Sequence, residues 1–243
     1  MKNALVVGGA NGIGLAIATV LAERSDIGNI YIVDKAEIPD DHNNPKFMYK
    51  AFDLTSSDYS IFDNFDDINI LMITAGFGRL DLFEDIPESM IISSFDVNAV
   101  APIRIIKHFY EKIHSDDDFY CGVMVSIAGF MSSPFFSIYA ATKAALKIFI
   151  ESVNVELEKS GSSNRILNVS PGSIKGTSFN NNKTNLKDVI PLAFDIISHL
   201  ENKSDLFIPQ YEEIFKEVLK RYHDDFREEG RHSYNYKLTS GRI

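Results

Sequence analysis

The stretch LVVGGANGIG, residues 5–14, constrains this chain more than any other. It opens on an apolar β-branched run and passes through Gly8, Gly12 and Gly14 in a Gly-x3-Gly-x-Gly spacing. It then enters the apolar pattern of a helix that reaches about Arg24. A strand that turns into a helix through glycines lets the backbone approach a ligand closely. The free N–H groups of the helix N-terminus then meet an anion. Gly8, Asn11, Gly12, Ile13 and Gly14 are therefore candidates to hold the pyrophosphate of a dinucleotide.

The rest of the chain repeats the same alternation. Short Val- and Ile-rich runs at 29–34, 46–53, 68–76, 120–128, 165–172 and 205–209 read as strands. Between them lie a short helix at 56–64 and longer helices at 87–114 (bent near Pro102), 137–159, 187–200 and 211–226. This order predicts an α/β fold, a doubly wound, Rossmann-type parallel sheet of about seven strands flanked by helices. Residues 1–226 would form one domain, with 227–243 as a C-terminal tail.

Charge and composition narrow the function classes. A formal charge of −10 gives no general attraction to nucleic acid or an anionic membrane surface. No uninterrupted apolar run reaches the ~18 residues of a membrane span, and the chain begins on a strand instead of a signal peptide. Cys121 is the only cysteine, which suits a reducing compartment. A cytoplasmic protein acting on a small molecule is expected, with no metal site.

Asp34 ends the second strand, 20 residues beyond Gly14, where a carboxylate accepts hydrogen bonds from adenosine ribose hydroxyls. It would repel a 2′-phosphate, so NAD(H) is expected over NADP(H), with the adjacent Lys35 as a partial offset. Asp53 could meet the adenine edge or cap the following helix.

Tyr139 and Lys143 in SIYAATKAAL lie one turn apart on one helix face. Together with Gly8-x3-Gly12-x-Gly14, Asp53-Leu54, Ala75-Gly76, Asn98 in DVNAVAP, Ser126 in VSIAG and Pro171-Gly172, they make residues 3–180 resemble the short-chain dehydrogenases/reductases. The resemblance implies a catalytic set of Asn98, Ser126, Tyr139 and Lys143. Tyr139 would be the acid/base. Lys143 would lower the phenol pKa and bind the nicotinamide ribose. Ser126 would donate to the substrate oxygen, and Asn98 would hold a water. Leu54, Ala75, Gly76, Pro171, Gly172, the Ile174 backbone and the Thr177 hydroxyl would complete the cofactor contacts.

The implied activity is hydride transfer between NAD(H) and a secondary alcohol or ketone. A dinucleotide-binding sensor, or an epimerase or dehydratase using the same Tyr-Lys pair, is the alternative. The resemblance also implies a homodimer or homotetramer through the helices near 87–114 and 137–159, with Ala140, Ala141, Ala144 and Ala145 permitting close approach.

The chain departs from the family pattern in two places. Ile73 and Thr74 stand where the family often has two asparagines. The C-terminal extension carries Ile214, Phe215, Val218, Leu219 and Tyr222 at helical spacing, expected to pack on the core or a partner. Its tail reads as a disordered end or as a segment ordered against the substrate pocket or a partner. Phe130, Met131, Phe135 and Phe136 would supply apolar walls. Asn180, Asn181, Asn182 and Lys183 read as a flexible loop or as contacts to a polar substrate. A small or medium alcohol or carbonyl compound is the expected substrate.

Overall fold

Residues that alternate between two buried faces leave a strand little choice but the middle of a sheet, and this holds for most strands here. In the computed structural model, which describes residues 1–177, 179 and 184–239, seven parallel strands form one sheet. They are β1 (Lys2–Val7), β2 (Ile27–Asp34), β3 (Phe47–Ala51), β4 (Ile68–Ile73), β5 (Tyr120–Met124), β6 (Ile166–Val169) and β7 (Leu206–Phe207). The order is β3-β2-β1-β4-β5-β6-β7. The winding reverses between β1 and β4, which opens a crevice at their carboxyl ends.

Helices cover both faces. On one, α1 (Gly12–Ala22) and α6 (Leu186–Glu201) pack Ile17, Leu21, Ile196 and Leu200 against Val6, Ile32 and Met72. On the other, α3 (Ala101–His108) and α5 (Ser137–Ser160) pack Ile105, Ile106, Leu146 and Ile150 against Leu5, Leu71 and Val123. The short 56–64 helix is a 3-10 turn at Ser60–Asn64 that buries Phe62.

The helix expected over 87–114 is interrupted. It runs as α2 (Glu88–Phe95), a π-turn at Asp96–Val100, α3, and α4 (Tyr110–His114) after a break at Phe109. Pro102 has no N–H to offer the preceding turn. The distortion therefore falls upstream of the proline, where the π-turn directs Asn98 inward, fully buried. The stretch Glu88–His108 is long and apolar enough to cross a bilayer by length and composition. Arg104, Lys107 and His108 are on it, and Asn98, Ile105 and Ile106 are packed inside the protein.

Beyond β7 the chain forms a π-turn at Tyr211–Phe215, then α7 (Lys216–Asp224) and α8 (Phe226–Thr239). The reading of the tail as a disordered end is corrected for residues 227–239, which are helical. Three contacts hold α8 in place. Phe135 stacks on Tyr234 with ring centres 4.5 Å apart, Lys237 reaches Ser133 and Pro134, and Arg221 pairs with Glu229. Asn180, Asn181, Asn182 and Lys183 lie outside the described residues.

Candidate active site

The glycine turn is built by close backbone packing. A Cβ on Gly14 would overlap the Gly8 carbonyl and the Thr74 hydroxyl, and Gly12 holds a φ of +55° that favours glycine. Thr74 replaces the expected asparagine usefully. Its hydroxyl lies 3.0 Å from the carbonyl oxygens of both Val7 and Gly8, tying β4 to the turn. The Gly12 N–H, at the start of α1, donates to the Thr184 hydroxyl at 3.0 Å, so an oxygen already meets that helix N-terminus.

The Asp34 carboxylate accepts from the N–H groups of Ala10 and Ala36 at 3.0 and 3.1 Å, which fixes it beside the turn. Asp53 accepts from the backbone and hydroxyl of Thr55 at 2.9 and 2.8 Å, and these bonds hold its carboxyl below the usual range. Of its two expected roles, capping its own turn is the one these bonds perform.

Four side chains meet beyond the turn. Ser126 follows β5 in an extended conformation, and its Oγ accepts from the Ala128 N–H at 3.1 Å. Its hydroxyl donates to the Pro171 carbonyl at 3.4 Å, and it stands close enough to the Tyr139 phenol, in the first turn of α5, to lower that phenol's pKa. One turn on, Lys143 is 2% exposed and donates from Nζ to the Met124 carbonyl at 2.8 Å. Asn98 donates to the Phe77 carbonyl at 2.8 Å and accepts from the Phe77 N–H at 2.9 Å. A Cβ on Gly76 would stand 3.1 Å from Asn98 Oδ1 and 3.4 Å from Lys143 Nζ, so Gly76 joins the two.

Burial pushes the Tyr139 phenol up to about 12, against a smaller lowering from neighbouring Ser126; the lowering expected from the Lys143 ammonium together with the charge of an oxidised nicotinamide is a separate effect. Lys143 is turned to Met124 and stands 5.7 Å from the Tyr139 ring centre. Burial also brings its own pKa down to about 7.

A cavity of about 900 Å³ joins the turn to these side chains. Gly8, Asn11, Gly12, Ile13, Gly14 and Asp34 line it on the turn side, with Asp53, Leu54, Ala75 and Gly76 along β3 and β4. Ser126, Tyr139, Lys143, Pro171, Gly172, Ile174 and Thr177 line the far side, while Asn98 sits behind the wall. The Thr177 hydroxyl donates to the Ile174 carbonyl at 3.0 Å. Met131 and Phe136 line the cavity; Phe135 is buried on Tyr234 instead, and Phe130 carries Lys147 over its ring. Sequence reading missed Met90, Ser93 and the contact of Thr184 with Gly12, whose partners are distant in sequence; the α7–α8 lining residues belong to the extension expected to pack on the core or to order against the pocket.

A dinucleotide fits this residue set. Three glycines of the turn line the cavity, the N-terminus of α1 begins there, and a carboxylate fixed by the Ala10 N–H stands beside it. A proton donor and a buried amine stand beyond. The chemistry available is proton exchange at an oxygen, matched to redox change at the carbon that bears it.

Comparison with known proteins agrees. A family model described as short chain dehydrogenase matches residues 2–188. An uncharacterized oxidoreductase of Saccharomyces cerevisiae is 28% identical over 222 residues, covering 82% of this chain and 70% of that protein. A short-chain dehydrogenase/reductase from Burkholderia phymatum in complex with NAD has a TM-score of 0.79 at 15% identity, covering 93% of this chain and 94% of its own. A short-chain dehydrogenase from Burkholderia cenocepacia in complex with NADP has a TM-score of 0.77 at 19% identity, covering 96% and 99%. At such identities the two structures speak to fold alone.

Proposed function

The chain belongs to the short chain dehydrogenase family, and from that premise we propose that it interconverts a secondary alcohol and a ketone with NAD(H). The observation that carries this reading is that the Tyr139 phenol and Ser126 hydroxyl share one cavity with the glycine turn and Asp34. Gly12 and Gly14 would hold the pyrophosphate, Asp34 the ribose hydroxyls, and Ile174 and Thr177 the nicotinamide end. The nicotinamide, when bound, supplies or takes the hydride.

The chain's own residues handle the oxygen. Ser126 donates to the substrate carbonyl and stabilises the charge that grows there. Tyr139, protonated at neutral pH, gives its proton to the same oxygen as it becomes an alkoxide. Lys143 then matters through its protonated form, which favours the phenolate left behind. Asn98, clamped on Phe77, fixes the loop that carries Gly76 beside Lys143. The test is nicotinamide absorbance followed with a panel of ketones and alcohols. Turnover supports the reading, and cofactor binding without turnover of any of them overturns it.

Asp34 carries the preference for NAD(H). Asp34→Asn should shift the NADH-to-NADPH ratio of kcat/KM toward NADPH by about tenfold, the factor given by ~1.4 kcal/mol of lost repulsion. Steady-state kinetics with both cofactors measures this, and an unmoved ratio excludes the role.

We also propose self-association through α5. Ala141, Ala145, Ile148, Ser152 and Val155 are exposed and fall on one seam, with Ile148 58% and Val155 56% accessible. Small residues beside exposed β-branched ones suit a second copy of the same helix. Ile148→Glu should reduce the mass seen by light scattering to that of one chain; a monomeric parent protein contradicts the proposal.

A further inference from the structure

Beside Tyr139 the cavity wall is built from aromatic rings that the proposed proton transfer does not use. Phe136, Tyr139 and Phe179 form a triangle whose ring centres lie 5.3, 5.3 and 6.2 Å apart. The rings are tilted to one another by 48°, 57° and 38°, so none stacks flat on another. A Cβ on Gly78 would stand 2.8 Å from Phe179 Cζ, 3.0 Å from Tyr139 Cδ2 and 3.1 Å from Phe136 Cε1. Backbone without a side chain therefore closes one side of the triangle, and all three rings line the cavity. Gly172 gives way in the same manner, since a Cβ there would stand 2.6 Å from Phe215 Cζ.

These rings keep surface that the protein itself does not cover. Phe179 is 37% accessible, and Phe77, Phe136 and Phe215 are half-buried while lining the cavity. Phe77 precedes Gly78, and Asn98 grips its backbone N–H and carbonyl at 2.9 and 2.8 Å, which fixes the point its side chain springs from. Met90 and Met131 line the cavity too, and a thioether sulfur makes favourable contact with a ring. An aliphatic guest would gain from burial anywhere along such a wall. A flat π-system gains in addition from tilted and offset ring contacts and from the sulfurs. Tyr139 is itself a corner of the triangle, so a ring held there leaves room for only a short spacer to the reacting carbon.

We propose that Phe77, Phe136 and Phe179 form a subsite for an aryl group. The substrate class is thus a ketone or alcohol that carries an aromatic ring a short carbon spacer away from the reacting carbon. This deepens the proposed reaction and rests on it for the identity of the reacting group. Recognition of the ring is separable. It needs neither hydride transfer nor the Tyr139 hydroxyl.

The test compares benzylacetone with its ring-saturated counterpart, in which cyclohexyl replaces phenyl. Both hold the ring on the same saturated spacer, so their carbonyls are electronically alike. Binding to the whole chain is followed by calorimetry, with and without oxidised cofactor, which cannot reduce either ketone. A merely apolar wall favours the cyclohexyl compound, which buries more hydrocarbon. The aryl subsite gives the reverse, with the phenyl compound bound about threefold tighter or more, from what ring pairs add beyond burial. Phe179→Leu keeps an apolar side chain at an accessible position and should turn the preference to cyclohexyl, while Phe179→Tyr should retain the phenyl preference. Phe194→Leu, which removes a 52% accessible ring of α6 outside this cavity, should leave the ratio unmoved. Equal or tighter binding of the cyclohexyl compound, no binding of either, or an unmoved ratio in Phe179→Leu overturns the subsite. Phenyl-selective binding without NADH-dependent reduction of either ketone, or of any in the panel above, would leave the subsite standing and remove the proposed reaction.

Discussion

Tyr139→Phe is expected to cut kcat by roughly 10²- to 10⁴-fold, the range for a lost general acid, while the cofactor still binds. The substitution removes one oxygen and leaves the ring in its place against Phe136 and Phe179, whose ring centres each lie 5.3 Å away. What disappears is the proton held beside Ser126 by a phenol pushed up to about 12. In carbonyl reduction that proton must reach the substrate oxygen, and Ser126 lines the same cavity with a second hydroxyl. A serine hydroxyl left without Tyr139 can still polarise the carbonyl, so residual activity should persist. Kinetics beside cofactor calorimetry checks this. Loss of cofactor binding together with turnover would mean that the hydroxyl holds the cofactor, and would contradict a role confined to proton transfer.

Lys143→Met should produce the opposite signs in stability and activity. The folded protein holds this amine 2% exposed, with its pKa brought down by burial from 10.5 to about 7. Between these values the unfolded chain keeps a proton that the folded chain has given up. Stability should therefore rise with pH across that window and level off below about 7, where both states are protonated. Methionine fills similar space without a charge to desolvate. The variant should gain on the order of a few kcal/mol near pH 7 and lose the pH dependence, while its turnover collapses. Urea unfolding at about pH 7 and about pH 9 compares the two proteins below the range where Tyr139 titrates. A destabilised variant would show that the Met124 hydrogen bond outweighs the burial of the amine.

What the sequence made legible follows from how local each feature is. The strands announce themselves because residues such as Val6, Ile32, Leu71 and Val123 are buried whichever face they point to, and a run of them needs no distant partner to be recognised. Gly8, Gly12 and Gly14 are legible for the same reason, since the turn they build spans a few residues. Tyr139 and Lys143 share a face by helical arithmetic alone. Asn98 and Ser126 became visible only through the family resemblance, because nothing local says that a π-turn and a strand end will bring them to α5. The remaining features required tertiary contact. The Thr74 hydroxyl finds Gly8 across 66 residues, and Thr184 finds Gly12 across 172. The tail read either as a disordered end or as a segment ordered against the pocket or a partner, because its order comes from contacts far upstream, Tyr234 on Phe135 and Lys237 on Pro134, about a hundred positions away. Spacing reports the proximity of Tyr139 to Lys143 but says nothing about burial, which pushes the phenol up and the amine down.

The central claim is that a carbonyl carbon beside Tyr139 exchanges hydride with a bound nicotinamide. The direct measurement is isotopic: the protein is given cofactor deuterated at the transferring position of C4, with a mixture of ketones, and the products are read by mass spectrometry. The account predicts alcohol products carrying one deuterium at the carbinol carbon, formed by the parent protein and lost with Tyr139→Phe. Unlabelled ketones recovered intact from a protein that binds the cofactor would contradict it.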